Sequence, residues 1–447
     1  MLYLSEVARI TDGVLHGEDA QIQAVGSDSR TLEPGSLFVA LQGERFDGHA
    51  HLAEVAARGG AGALVERIQP DIALPQVLVA DPLAALQQLA AAWRRRHDIP
   101  VVAVTGSCGK TTVKEMLAAI LGTAGPVLAT RGNLNNHIGV PLTLLRLRAE
   151  HRFAVIEMGM NHSGEIAVLT RLAQPDIALI NNARPAHLEG LGSLEAIARA
   201  KGEILEGLSS EGLAVLNGDD AFIDYWAEKN PGRLLRFGLD AEELELRGRW
   251  EAEAGGGRLQ VEAGQDAFSV KLPLPGRHNG ANALAAIGVA LSLNIAPEQI
   301  NQGLGMMQPV PGRLNWRSGR GGSQVLDDTY NANPASLEAA VRVLVDGPGE
   351  KILVLGNMGE LGEDAPAMHE AAGMMARGLG VQRLLTLGEM AARAVPGFGT
   401  GGQAYDDLDI LLQDLQALEH EGVRILVKGS RSARMERVVQ AIVTGNT

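Results

Sequence analysis

The chain has 447 residues, 46% hydrophobic and 21% charged, and 39 Lys and Arg against 53 Asp and Glu leave a formal charge of −14. That length predicts several domains, each with its own core, and the acidic balance excludes a general nucleic-acid binder, whose surface would be basic. A single cysteine, Cys108, excludes an internal disulfide, no charged and then apolar leader opens the chain, and no apolar run approaches the ~20 residues that span a bilayer; the expected location is the cytoplasm, without stable membrane insertion.

Residues 1–98 make the first block. Apolar runs at Leu37–Leu41, Ala63–Val65 and Gln76–Val79 predict strands separated by Ala- and Glu-rich helices, a small α/β domain. Pro82–His97 has helical spacing and ends in Arg94-Arg95-Arg96, which reads as a solvated helix end near the negative dipole pole.

The second block, residues 99–312, opens on Val101-Val102-Ala103-Val104-Thr105-Gly106-Ser107-Cys108-Gly109-Lys110-Thr111-Thr112: a buried strand, a glycine-rich turn and a helix start. Gly106 and Gly109 let the turn aim backbone N–H groups at an anion, and the helix opening at Lys110 adds its positive dipole end. Lys110 can neutralise β- and γ-phosphates, and the Thr111 hydroxyl can hold Mg²⁺. The general P-loop pattern has a Gly six residues before the lysine, where this chain has Val104, so the cradle is a variant one. Strands at Phe153–Met158, Ile177–Ile180 and Leu213–Leu216 alternate with helices and predict a parallel sheet covered on both faces. Trp250–Leu272 reads as a small antiparallel insertion, followed by a helix over His278–Leu293.

Glu157 falls at the C-terminal end of its strand, the edge at which open α/β sheets bind ligands, and is placed to hold the Mg²⁺ of a nucleotide; it reads equally as a plain surface glutamate. His187 follows the next strand on the same rim, a second candidate for metal or phosphate. Lys201 lies in the helical run Glu195–Ile204 and, on pattern alone, is an exposed helix lysine. Cys108 sits at a helix N-terminus that can lower a thiol pKa, but phosphoryl activation needs no covalent thiol, so it reads as a small side chain tolerated in the turn.

The third block, residues 313–447, follows the stiff Pro309-Val310-Pro311-Gly312 hinge. Strands at Ser323–Leu326, Lys351–Leu355, Arg383–Leu387 and Arg424–Val427 alternate with helices, a second, Rossmann-like sheet. Arg313 at the hinge is placed to reach triphosphate oxygens when the domains close. Asp327-Asp328-Thr329-Tyr330-Asn331-Ala332-Asn333-Pro334 lies between strand and helix, with groups for ribose hydroxyls and a peptide-like substrate, and Lys428-Gly429-Ser430-Arg431-Ser432 leaves a strand for a helix and suits a carboxylate.

The variant cradle, then Glu157, His187, Ala200-Lys201, His278-Asn279-Gly280-Ala281-Asn282-Ala283 and Pro311-Gly312-Arg313, in this order and across essentially the whole chain, resemble the Mur ligase superfamily. The resemblance implies ATP-dependent amide ligation in peptidoglycan precursor synthesis. It also implies three domains: a UDP-binding α/β domain, a P-loop ATPase domain and a Rossmann-like domain that takes the incoming substrate and part of ATP. The run Asp328–Pro334 is similar to the members that couple D-alanyl-D-alanine to UDP-N-acetylmuramoyl-tripeptide. So is Leu355-Gly356-Asn357-Met358-Gly359-Glu360-Leu361-Gly362, although those members commonly have Asp in place of Asn357. No Asp-Asn-Pro-Arg motif, the diaminopimelate-reading signature of the preceding ligase, is present.

The resemblance further implies an acyl-phosphate mechanism with ATP and Mg²⁺ as cofactors, and a monomer. Residues Gly106 to Thr112, with Asn282 for adenine, Asp328 for ribose and Arg313 for phosphates, would bind ATP. Thr111, Glu157, His187 and a carbamate on Lys201 would hold metal, and Lys110, Lys201 and His187 would be catalytic. Ser27 and Arg30, within Ser27-Asp28-Ser29-Arg30, would meet the uridine diphosphate. Asn135 and Asn136 would touch the muramoyl-peptide. Asn331, Asn333, Lys428 and Ser430 would, more loosely, hold the dipeptide. The competing classes are another Mur-type amino acid ligase, a P-loop NTPase or kinase whose turnover ignores an amine acceptor, and a UDP-sugar-binding module without turnover.

Overall fold

The computed structural model describes residues 1–444 apart from positions 45, 186, 187, 231, 254 and 309. Among the described residues three large sheets follow one another along the chain, with a two-stranded ribbon of Gln42–Gly43 and Phe46–Asp47 beside the first. The first runs, in spatial order, Val14–His16, Gln76–Leu78, Gly62–Val65, Ser36–Val39 and Ala24–Gly26, parallel except at Val14–His16. The third runs Asn315–Ser318, Gln324–Asp328, Val423–Lys428, Glu350–Gly356, Arg383–Leu387 and Gly402–Tyr405, parallel except at Asn315–Ser318.

The second sheet has nine strands and carries the phosphate cradle. Val101–Thr105 lies inside it, between Ile177–Ile180 and Phe153–Glu157, with Val127–Ala129 at that edge. Every residue of Val101–Thr105 is buried, because helices cover both faces of a parallel sheet and leave no face for alternation. In the other direction come Leu213–Asn217 and Arg233–Gly238, then Leu246–Glu253, Gly256–Ala263 and Asp266–Leu272. These last three strands correct the expected insertion. They begin at Leu246, four residues before Trp250, and Leu246–Glu253 pairs in parallel with Arg233–Gly238, so the antiparallel meander is the continuing edge of the same sheet.

The helix Pro82–Arg94 starts where Asp81 accepts the N–H groups of Leu83 and Ala84, with proline at its first position. Its end also departs from expectation. Arg95 and Arg96 are exposed, but Arg94 is buried. Its guanidinium donates to the carbonyls of Ala173 (3.0 Å) and Gln174 (3.2 Å) and to His97 O (2.7 Å), with Asp176 at 3.5 Å. Ala173 ends the helix Glu165–Ala173, whose last carbonyls have no partner within the helix. Arg94 supplies that partner and ties the first block to the second. Leu86, Leu89 and Trp93 of the same helix pack into one core with Val140, Leu144 and Ile166.

Pro311-Gly312 belongs to a turn closed by Arg313 N–H on Val310 O at 3.0 Å, with Gly312 at φ +71° and Leu314 at φ +50°. Among the described residues no helix is long and apolar enough to cross a membrane.

Candidate active site

The strand Val101–Thr105 feeds a turn and then the helix Lys110–Gly122, capped by Gly109 in the left-handed region at φ +81°. Glycine is required there twice over: a Cβ would be strained, and it would run into Asn282 Oδ1 and stand 2.6 Å from Asn181 Nδ2. Lys110 Nζ donates to the Gly106 carbonyl at 2.8 Å, folding its side chain back over the cradle. Removal from water lowers its pKa, and the Glu157 carboxylate opposes that shift.

A cavity of about 1810 Å³ opens over this turn, between the second and third sheets. Ser107, Cys108, Gly109, Lys110, Thr111 and Thr112 line it from the cradle. Glu157, Asn135 and Asn282 line it from the rest of the second domain, and Arg313, Asp328, Asn331, Asn333 and Lys428 from the third. Gly106, Lys201, Asn136 and Ser430 lie outside that lining.

Glu157 is buried. Its backbone N–H donates to the Thr130 hydroxyl (3.0 Å), its Oε1 accepts from Asn135 Nδ2 (2.8 Å), and its Oε2 has no hydrogen-bond partner among the described residues. Lys201 is 2% exposed, which corrects the expectation of a solvated helix lysine. Burial, reinforced by the charge of Lys110, pushes its pKa well below that of an ordinary lysine. His187 lies outside the described residues.

From the third domain, Arg313 Nη2 donates to the Thr111 hydroxyl at 3.1 Å, and its guanidinium stacks 4.1 Å above the Tyr330 ring. Asp328 accepts from Leu314 N–H (3.1 Å) and from Lys428 Nζ in a buried ion pair, and Lys428 Nζ also donates to Asn331 O (2.9 Å). Asn333 caps the helix Pro334–Val345, and its amide touches Cys108 Sγ at 3.6–3.7 Å. The thiol therefore meets a neutral amide across the domain boundary. Asn357 Oδ1 accepts the Ala391 N–H at 2.8 Å, a role an aspartate would fill equally well. Ser430 Oγ pairs with Ser432 Oγ at 3.1 Å.

The remaining expected residues lie apart. Arg30, on the first domain, makes a bidentate pair with its own neighbour Asp28 (2.9 and 2.7 Å), and those hydrogen bonds lower the Asp28 pKa to about 2. Ser27 is half-buried beside it, and neither reaches the cavity. Asn136 Oδ1 accepts the N–H groups of Ile138 and Gly139 and shapes the turn.

The sequence reading missed Asn181 and Asn182. Asn182 accepts Cys108 N–H on Oδ1 (2.9 Å) and Ser107 N–H on its carbonyl (3.0 Å). Asn181 Nδ2 joins Cys108 O (2.9 Å) to Asn282 Oδ1 (2.8 Å). Two amides directly after the apolar strand Ile177–Ile180 were the available signal.

Matches to known proteins agree with this arrangement of sheets and cavity. The Mur ligase middle domain matches residues 104–290, the Mur ligase glutamate ligase domain residues 312–431, and the Mur ligase family catalytic domain residues 21–94. A UDP-N-acetylmuramoyl-tripeptide–D-alanyl-D-alanine ligase of Escherichia coli K12 is 44% identical over 448 residues, covering 99% of both chains. A crystal structure of MurF from Acinetobacter baumannii superposes with TM-score 0.92 at 37% identity, covering 98% of this chain and 97% of the other. MurF from Thermotoga maritima in complex with ADP gives TM-score 0.84 at 30% identity, over 95% and 98%. The chain belongs to the Mur ligase family and, within it, to the group formed by these MurF enzymes.

Proposed function

We infer that this protein is an ATP-dependent amide ligase that joins D-alanyl-D-alanine to UDP-N-acetylmuramoyl-tripeptide, giving UDP-N-acetylmuramoyl-pentapeptide, ADP and phosphate. The observation that carries this reading is full-length kinship with MurF enzymes, in a chain whose cavity brings the cradle of the second domain against Arg313 and Asp328 of the third. The protein acts in the cytoplasm as a monomer, with domains at 1–98, 99–312 and 313–447.

A carboxylate is a poor acyl donor until one oxygen becomes a good leaving group. The tripeptide carboxylate attacks the γ-phosphorus and ADP departs, leaving an acyl phosphate. The dipeptide amine then attacks the acyl carbon, the C–O bond to phosphate breaks, and the nitrogen sheds its proton. The enzyme's contribution is positioning and charge neutralisation. Lys110 and Arg313 neutralise the phosphates, residues 106–112 cradle them, Asn282 meets adenine and Asp328 the ribose. Asn331, Asn333, Lys428 and Ser430 receive the dipeptide. Ser27 and Arg30 receive the uridine diphosphate, and Asn136 the muramoyl-peptide.

The residues fit Mg²⁺. A buried carboxylate oxygen without a hydrogen-bond partner among the described residues, Glu157 Oε2, is what a hard cation requires, and the Thr111 hydroxyl would be a second ligand. Among the described residues no three His, Cys, Asp or Glu side chains gather into a cage, so the ion would take the rest of its shell from phosphate and water, as Mg²⁺ does in nucleotide sites. Bound there, it would offset phosphate charge; His187 would contact a second ion, which a carbamate on Lys201 would position. A neutral amine is the form that adds CO₂, and burial keeps Lys201 toward that form.

Phosphate release from ATP tests this reading, measured with UDP-N-acetylmuramoyl-tripeptide present, with and without D-alanyl-D-alanine. Release that requires the dipeptide and yields the UDP-pentapeptide by mass is the expected result; release indifferent to the dipeptide overturns it.

A further inference from the structure

Lys114 lies one turn beyond Lys110 on the helix Lys110–Gly122, yet it is only 1% exposed. A buried ammonium is costly unless its donors are used. Its Nζ donates to the Thr130 carbonyl at 2.8 Å and stands 2.6 Å from Glu115 Oε1. Thr130 immediately follows the edge strand Val127–Ala129 and starts the loop that carries Asn135. Both ends of that loop hold Glu157: the Thr130 hydroxyl accepts its backbone N–H (3.0 Å), and Asn135 Nδ2 donates to its Oε1 (2.8 Å). The loop is closed again on the same strand end, where Asn135 O accepts Gly159 N–H at 2.9 Å. The Asn135 amide lies so close to Gly159 that a Cβ there would stand 3.0 Å from it.

We propose that Asn135 and Lys114 are positioning residues for a divalent cation at Glu157. Lys114 pins the foot of the loop, and the loop grips the carboxylate by one oxygen. The other oxygen, Oε2, is left buried without a hydrogen-bond partner among the described residues. Asn135 thereby serves the metal side of the site rather than the muramoyl-peptide contact that the family resemblance implies for it. Partners that hold a metal ligand in place typically change metal affinity by about 10–100-fold when removed. The proposal rests on the reading of Glu157 as a metal-facing residue.

The test is Mn²⁺ binding to the full chain in the presence of ADP, followed by the electron paramagnetic resonance signal of the free ion. Asn135→Ala is expected to weaken Mn²⁺ by about tenfold or more, with unchanged affinity for UDP-N-acetylmuramoyl-tripeptide by calorimetry. Lys114→Met should weaken Mn²⁺ in the same direction, and Thr130→Ser should keep the affinity that Thr130→Val loses. Asn135 is half-buried on a loop, so its variant carries the test even where Lys114→Met does not fold. Parent-like Mn²⁺ binding by Asn135→Ala with weakened UDP-substrate binding would make Asn135 a substrate contact and overturn the proposal. A lowered melting temperature of Lys114→Met with intact Mn²⁺ affinity would make that lysine merely structural and remove it. The readout involves no ligation: a failure of dipeptide-dependent turnover would sink the functional reading alone, whereas a parent that binds no Mn²⁺ beside ADP sinks this one.

Discussion

Arg313 of the third domain donates to the hydroxyl of Thr111 in the phosphate cradle at 3.1 Å, across the boundary between the two sheets. On the proposed reading Thr111 is the residue a nucleotide-bound cation would claim, and the guanidinium would then give up the hydroxyl for the phosphates. The Tyr330 ring beneath it, 4.1 Å away, keeps the side chain in place for that exchange. Arg313→Ala is expected to lose about a hundredfold in kcat/KM for ATP, the scale of removing one preorganised donor from developing charge. Its affinity for ADP should change much less, and an equal loss for both nucleotides would place the guanidinium on the inner phosphates instead.

Gly109 gives a sharper prediction. At φ +81° a side chain costs about 1–3 kcal/mol in backbone strain, and a methyl there would also displace the Asn181–Asn282 amide pair. Gly109→Ala should therefore lose both stability and nucleotide affinity, seen as a lower melting temperature and loss of the ADP signal in calorimetry. At Gly122, the far end of the same helix, an added methyl would meet no neighbouring atom within 4 Å among the described residues, so Gly122→Ala is the control that keeps nucleotide affinity and holds or slightly raises the melting temperature.

The cradle was legible because its signal is local: apolar strand, glycines at turn positions, then Lys110 and Thr111. The inner strands of the three sheets were legible for a similar reason, since buried parallel strands read as unbroken apolar runs, whereas the short or half-exposed strands Val14–His16, Ala24–Gly26, Val127–Ala129, Arg233–Gly238, Asn315–Ser318 and Gly402–Tyr405 carry no such run and were not read. Charged helix residues were not. Arg94 and Lys201 look like solvated helix residues, and only the carbonyls at the end of Glu165–Ala173 and the packing around the cradle show that both are buried. Helical periodicity reports which side is apolar, not whether a polar side meets a neighbouring domain. The antiparallel strands were seen as strands, but their union with the parallel sheet depends on pairing across Phe237–Leu246, a long-range contact no local pattern carries. Asn181 and Asn182 were hidden because an amide after a strand looks like any loop.

Lys201 connects burial to chemistry. Its amine, held toward the neutral form by desolvation and by the charge of Lys110, is suited to add CO₂, forming an N–C bond and releasing a proton. Protein equilibrated with ¹³C-bicarbonate should show one carbamate carbon resonance that Lys201→Met removes. Activity should fall in CO₂-depleted buffer and return on adding bicarbonate. A carbamate signal that persists in Lys201→Met would place the modification on another amine.

His278 gives the pH dependence. It is partly buried on the helix Arg277–Ser292 beside the cavity, and desolvation lowers its pKa from 6.5 to about 4, with Asp328 opposing and Lys428 reinforcing the shift. In the unfolded chain this imidazole takes up a proton as pH falls through about 6.5; in the folded protein it does so only near 4. Between those values the unfolded state binds more protons, so stability rises with pH across the window and falls on acidification. His278→Gln removes the proton site and should flatten that slope. In urea unfolding at about pH 7 and about pH 5, the parent should lose about 1–2 kcal/mol more than the variant on acidification, allowing for the ring's partial contact with water. Equal losses in the two proteins would show that the imidazole titrates normally in the folded state, and that Asp328 rather than burial governs its charge.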